Sequence, residues 1–391
     1  MDILFKQFFP IIMLLALLFF RVKHKKNDLL VMLIFMGMYA FSSNFQFVYR
    51  QIYQLLLIIA TIRIISIFFK NNFITINKNM RPMIYFYLFI LLSGVVNKIE
   101  NYNLYINSII NYTMIFFTIL FIYKKVNTLE KINELFNFIV LMSIILSIGV
   151  IIEFSFLHSR IEGLFSNSNY LALFLSFGYI ILLFKKRSFK PIWLLIIGLS
   201  ILFTGSRIVE ISIFILSFYS IFLQKNTIKK IVTVIFLIPF FTIFFTLQQD
   251  FRKETKGSDL ERLAILETSK LIIKDKLLTG VGYAQFQVKF NQYIPSSELG
   301  EIIGKRKEIV THNDYLRIID ELGILVFLYF IYIIYNNFRI KKTNLYQYIS
   351  FAFFVNMILF SFAHNNMNAI IFWFALLLPL YTKKISSNKY A

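Results

Sequence analysis

The chain has 391 residues, 58% hydrophobic and 18% aromatic, which is more apolar than the roughly 45–50% of soluble domains and makes a lipid bilayer its expected surroundings. It contains no cysteine, which excludes disulfides, thiolate metal sites and a cysteine nucleophile. A net charge of +21 would suit nucleic acid, but its distribution along the chain excludes that partner.

A bilayer-spanning helix needs about 20 mostly apolar residues. Such runs are predicted near 4–20, 29–45, 50–69, 83–97, 106–123, 133–154, 169–184, 192–204, 208–223, 231–247, 323–338, 346–363 and 369–382. The third carries Arg50 and Arg63, and the second and eighth are short, so the expected count is about 12–13. Residues 4–20 lack a small-residue cleavage site before the following basic stretch, so a cleaved signal peptide is not expected. The expected fold class is all-α, a polytopic transmembrane helical bundle with one large extracytoplasmic loop. Its predicted divisions are 1–247 for the first ten spans, 248–322 for the loop and 323–391 for the last three spans.

Orientation follows from lysine and arginine, because short cationic loops are retained in the cytoplasm. One alternating set of loops carries clusters such as Arg21, Lys23, Lys25 and Lys26, then Lys185, Lys186, Arg187 and Lys190, and finally Lys383, Lys384 and Lys389. The short loops of the other set hold only Arg50, Lys98, Arg160 and Arg207 and are assigned to the outside. Residues 248–322 also fall outside and balance 12 Lys and Arg against 12 Asp and Glu. The basic excess is thus an orientation signal.

An outer loop this long points to a function performed there. A helix is predicted from Asp259 to Lys276, with Ser258 as N-cap, Glu261 as its capping-box partner, and Leu263, Leu266, Ile273 and Leu277 on one broad side suited to the outer interface. Gly280-Val281-Gly282-Tyr283 reads as a turn. It follows no strand, so a dinucleotide site is rejected. His312-Asn313-Asp314-Tyr315-Leu316-Arg317 then leads through Asp320-Glu321-Leu322-Gly323 into the next span.

Three of the 4 histidines, His158, His312 and His364, fall on the outer side. Each reads equally as an interfacial polar residue, and His312, beside a polar cluster at a span mouth, is the candidate for proton exchange. Charges at bilayer depth need a polar cavity or a partner, which singles out Arg63, Glu153, Arg207 and Glu210. Arg207 follows Thr204-Gly205-Ser206 in a tight outer turn, where it either pairs with Glu210 or presents its guanidinium fork to a phosphate. The junction from Arg160 to Leu171 includes Asn167 and Asn169, which either cap the next helix or hold sugar hydroxyls.

Several short motifs occur in a telling order. They are Gly163-Leu164-Phe165 with Asn167 and Asn169, Thr204-Gly205-Ser206-Arg207, Glu261-Arg262-Leu263, Leu278-Thr279-Gly280-Val281-Gly282, His312-Asn313 and Glu321-Leu322-Gly323. In that order, and with this hydropathy profile, the chain resembles the O-antigen polymerase and O-antigen ligase superfamily. The resemblance implies a bacterial cytoplasmic-membrane enzyme that transfers glycan from undecaprenyl diphosphate to a sugar hydroxyl on the outer face. It also implies independence of nucleotide sugar and of metal. Arg207 and Arg262 take the places of arginines that bind the diphosphate, and His312 that of the histidine that activates the acceptor. Asn167, Asn169, Asn313, Tyr283, Arg160 and Glu210 are the candidate substrate-binding residues, with no metal ligand and no cofactor.

The expected partners are the lipid-linked oligosaccharide and membrane lipid, with a chain-length regulator and a flippase as candidate protein partners. Polymerase activity is the first expectation and ligase activity the second. A lipid-linked oligosaccharide flippase is the rival from another class, although it would carry charges along its span interiors and short loops on both sides. A purely structural scaffold is the remaining alternative.

Overall fold

The computed structural model describes residues 58–66, 78–157, 160–162, 167–185, 189–223, 256–296, 299–301 and 309–387, with positions 242 and 246. Spans expected near 4–20, 29–45 and 231–247 lie outside the described residues, as do His158 and Gly163–Ser166, and the span near 50–69 is described only over 58–66. Every regular element among the described residues is helical. In chain order the bundle helices are α1 (Arg81–Val96), α2 (Tyr102–Lys125), α3 (Leu129–Leu157), α4 (Ser168–Phe184), α5 (Lys190–Phe203) and α6 (Arg207–Phe222). The long loop contributes α7 (Lys256–Lys276), the short α8 (Phe286–Lys289) and α9 (Asp314–Leu322). Three further bundle helices follow: α10 (Ile324–Phe338), α11 (Leu345–Phe360) and α12 (Ile370–Ser387).

Local chemistry explains where these helices begin. Asparagine side chains cap four of them: Asn101 accepts from the Leu104 amide, Asn167 from Asn169, Asn313 from Tyr315 and Leu316, and Asn344 from Gln347. Each cap satisfies a backbone donor that the first turn leaves unpaired. Prolines in the first turns of α1 and α5 lack such a donor and preset the helical φ. The α7 helix begins at Lys256, so Ser258 lies inside its first turn and not at the cap position expected for it.

Among the described residues two helices, Tyr102–Lys125 and Leu129–Phe156, are long and apolar enough to cross a membrane. At a rise of about 1.5 Å per residue each exceeds a hydrocarbon layer about 30 Å thick. Large apolar side chains point outward from the bundle, among them Leu92, Val95 and Val96 on α1, Leu195 on α5, and Leu325 and Leu328 on α10. Inside, aromatic rings interlock the helices. Trp373 is fully buried, with its ring centroid 5.3 Å from Phe86 and 5.4 Å from Tyr112. A polar thread crosses the same interior, where Ser212 donates to Asn356 Oδ1 at 2.7 Å and Asn356 donates to Ser176 at 2.7 Å, tying α6, α11 and α4 together. Such bonds satisfy groups that have no water to turn to.

The junctions poor in basic residues gather at one end of the bundle. Asn97 donates to the Thr279 carbonyl, Lys289 to the Lys98 carbonyl, and Gln285 accepts from the amides of Glu100 and Asn101. The opposite ends meet likewise, with Asn79 donating to the Leu380 carbonyl and Asn344 to Ser386. Against this first end the 277–284 segment runs beside the C-terminal end of α9. The Val281 amide bonds the Asp320 carbonyl at 2.7 Å, Gly282 bonds that of Glu321 at 3.0 Å, and Ile324 bonds that of Leu277 at 2.8 Å. A Cβ on Gly280 would stand 2.4 Å from the Glu321 carbonyl carbon, and one on Gly323 would stand 2.2 Å from the Leu278 oxygen, so this approach requires glycine at both positions.

The α7 helix docks through Ala264, Ile265, Thr268, Ser269 and Ile272, and Ser269 donates to Asp320 at 2.6 Å. Leu263, Leu266 and Leu277, expected together on one broad apolar side, are exposed. The close approach to α9 favours the small-residue side and leaves the leucines facing outward.

Candidate functional site

The site is assembled at this end of the bundle from segments far apart in sequence. Arg160 precedes α4, and its Nε donates to the Thr204 carbonyl at 2.8 Å while Nη2 donates to Asn169 Oδ1 at 3.1 Å. Partial desolvation lowers its affinity for a proton, Glu162 and Glu210 raise it and Arg262 lowers it, so these charged groups share one electrostatic neighbourhood. Thr204 belongs to the turn that leads into α6, whose first residue, Arg207, is exposed, and Glu210 is fully buried one turn later.

Arg262 projects from the early part of α7 and is exposed. His312 lies at the foot of α9 with φ 49, in the left-handed region that non-glycine residues seldom occupy. That turn frees the Asn313 side chain to cap α9, its Oδ1 accepting from the Tyr315 amide at 2.9 Å and the Leu316 amide at 3.1 Å. Desolvation and then the nearby Arg262 push the His312 imidazole below 6.5, while Glu261 pulls the other way. A histidine so placed carries its lone pair at neutral pH and can accept a proton.

Behind His312 the 361–369 turn between α11 and α12 is stitched to the start of α9. Asn365 Oδ1 accepts from the Thr311 hydroxyl at 2.8 Å and from the Asn313 amide at 3.1 Å. Asp314, fully buried, accepts from the amides of Asn366 at 2.7 Å and Met367 at 3.1 Å and from the Asn366 side chain at 3.1 Å. Burial raises its carboxyl to about 6 against the lowering effect of those amides. One turn on, Arg317 pairs with Glu321 at 3.1 Å and lies 5.5 Å over the Tyr283 ring. Glu321 also accepts from the Ala284 amide at 3.0 Å.

The structure therefore brings Arg160, Asn169, Arg262 and His312 together, with Glu210 in electrostatic range of Arg160. Asn167 and Asn313 are helix caps whose side-chain oxygens are already engaged. Tyr283 is fully buried and its hydroxyl donates to Asn368 Oδ1, so it supports the site from beneath. Arg207 is exposed at the start of α6, three residues beyond the Thr204 carbonyl that holds Arg160, and is not among the charged groups that act on Arg160, His312 or His364.

Motif reading gave no role to Asp314, Arg317, Glu321, Asn365 or Asn366. The polar run His364-Asn365-Asn366 between two apolar helices was the signal available for the last two. Among the described residues no group of three or more metal-ligating side chains occurs.

The polar end of the bundle, from Arg160 through α9 and into α10, coincides with a recognised family segment. Residues 160–331 match the O-antigen ligase family. This match, over part of the chain, supports its resemblance to the O-antigen polymerase and ligase superfamily. Members of the O-antigen ligase family are membrane-integral, glycosyltransferase-like enzymes acting on lipid-linked glycans. A search of curated proteins returns no match. His364 and Asn365, which close the site from the C-terminal side, lie beyond the O-antigen ligase match.

Proposed function

We propose that the protein is a polysaccharide polymerase of the O-antigen or capsule type, an inverting glycosyltransferase that joins undecaprenyl-diphosphate-linked repeat units on the outer face of the bacterial cytoplasmic membrane. The observation that carries this reading is the convergence of Arg160, Arg262 and His312 at one polar end of an otherwise apolar bundle, inside the O-antigen ligase match.

In the proposed step the acceptor hydroxyl oxygen attacks the anomeric carbon of the donor sugar. The bond from that carbon to the diphosphate oxygen breaks, and the hydroxyl proton passes to the His312 imidazole. The departing lipid diphosphate gathers negative charge, which guanidinium groups already in place stabilise; Arg262 and Arg207 are assigned this work, with Arg160 beside them. A single displacement inverts the anomeric centre. No metal is assigned a part.

The buried charges also favour transfer over transport. Among the described residues Lys185 and Glu210 lie at helix ends, and Asp314, Asp320 and Glu321 lie in α9, whereas a flippase would carry charge along its span interiors. Ligation, transfer of a finished glycan to a different acceptor, is the second reading, favoured by the family that residues 160–331 match.

Transfer by the purified protein is tested with lipid-linked glycan extracted from membranes of a strain lacking it. Arg262→Ala and His312→Ala are each expected to lower the rate at least a hundredfold, as loss of an electrostatic or acid–base group does, with protein level retained. Wild-type rates in both variants would defeat the assignment. The glycolipids of the deletion strain separate the two activities, since loss of a polymerase leaves single repeats and loss of a ligase leaves long unattached chains.

A further inference from the structure

We propose that His364 is a substrate-binding residue of this site, contacting a hydroxyl of the glycan beside the diphosphate. The inference rests on the glycosyl-transfer reading and adds a residue from outside the recognised family segment.

Four observations carry it. First, His364 is held in fixed relation to His312. Its neighbour Asn365 bonds Thr311 and Asn313, the residues on either side of His312, and Asp314 grips the backbone of Asn366 and Met367. Second, its ring is locked in place. It stacks on Phe360 at 4.4 Å and 23° and lies 5.8 Å from Tyr170, whose hydroxyl donates to the Asn365 carbonyl at 3.1 Å. A side chain that binds ligand well is one whose rotamer is set beforehand.

Third, His364 is only 5% exposed, yet no described residue hydrogen-bonds either of its ring nitrogens. Neither ring nitrogen is among the fully sealed polar atoms, so an entering ligand can reach both. Fourth, the surroundings choose the ligand class. Burial, then Arg262, His312 and Arg160, hold the imidazole down to about 3, so it does not carry charge near neutral pH. An uncharged imidazole offers one donor and one acceptor, which matches a hydroxyl, whereas the diphosphate is served by the arginines.

The test uses the full-length protein in detergent, lipid-linked glycan extracted from the deletion strain, and undecaprenyl diphosphate as a competing probe for the diphosphate half. His364→Phe keeps the stacking on Phe360 and removes both nitrogens; His364→Gln restores a donor and an acceptor. The expected result is a KM for the glycan raised about tenfold in His364→Phe and recovered to within about threefold in His364→Gln, the loss of one or two hydrogen bonds. Inhibition by undecaprenyl diphosphate is expected to stay unchanged in both variants, and to weaken in Arg262→Ala.

A KM in His364→Phe within twofold of wild type overturns the proposal. Equal losses in both variants, or a parallel loss of inhibition by undecaprenyl diphosphate, also overturn it, because they reveal a packing role or a diphosphate contact. Should the wild-type protein transfer nothing, the glycosyl-transfer reading falls and this inference falls with it.

Discussion

At the scale of single residues, the site is governed by what surrounds each titratable group. His312 is exposed as a residue, yet desolvation and the cation of Arg262 together outweigh Glu261 and hold its imidazole below 6.5. Its lone-pair form is the one that accepts a proton, so transfer is expected above that lowered value and is expected to be lost as pH falls through it. The pH–rate profile of glycan transfer is expected to show its acid limb below the ordinary histidine range. Glu261→Gln removes the group that favours the charged form, and it is expected to move the limb to lower pH. A wild-type limb above the ordinary histidine range would contradict this account. His312 and Arg262 were legible from the sequence because they stand in short motifs. The clamp of Asp314 on Asn366 and Met367 was not, since it joins positions 52 and 53 residues apart.

At the scale of elements, the described parts of the long loop form a folded cap. Its 277–284 segment borrows backbone partners from the end of α9, and α7 rests on α9 through Ser269 and Asp320. The approach depends on Gly280, which has φ 65 and a would-be Cβ within 2.6 Å of Glu321 backbone atoms. Gly280→Ala is expected to cost about 3 kcal/mol, combining a strained φ with a backbone clash. Gly198→Ala, inside α5 where the nearest atom to a new Cβ is 3.7 Å away, is expected to be neutral or to gain about 0.5–1 kcal/mol. Thermal unfolding of both variants in detergent checks the contrast, and equal shifts would count against the close-approach argument. The α7 helix itself was foreseeable from sequence, but which side it buries was not. The leucine side, read as suited to the outer interface, stays exposed, and the small residues Ala264 and Ser269 with Ile265 and Ile272 pack inward because the backbone of α9 lies so near.

At the scale of the whole molecule, the alternation of basic and non-basic junctions becomes two opposite ends of one bundle. Junctions at 97–101, 204–206, 277–296, 309–323 and 361–369 meet at the end that holds the site. The absence of native cysteine makes orientation directly measurable. Ser296→Cys, exposed in the long loop, is expected to react with a membrane-impermeant maleimide in intact spheroplasts. Lys341→Cys, exposed at the opposite end between α10 and α11, is expected to react only after permeabilisation. Labelling of Lys341→Cys and protection of Ser296→Cys in intact cells would reverse the assigned orientation.

The described bundle helices were readable from the chain alone, because an apolar run bounded by polar residues is a local property. The span read at 208–223 folds as Arg207–Phe222, and that read at 323–338 as Ile324–Phe338. The sequence also marked His312, Arg262 and Arg160 as chemically competent groups. Which of them meet, and that Tyr283 and Asn313 bond within the protein, followed from how the helices pack, as did the closeness of His364 to Arg262 and His312. The reason is physical: a helix is stabilised by bonds a few residues apart, whereas a site at the end of a bundle is held by contacts between segments distant in sequence, and no local pattern records which of them will touch.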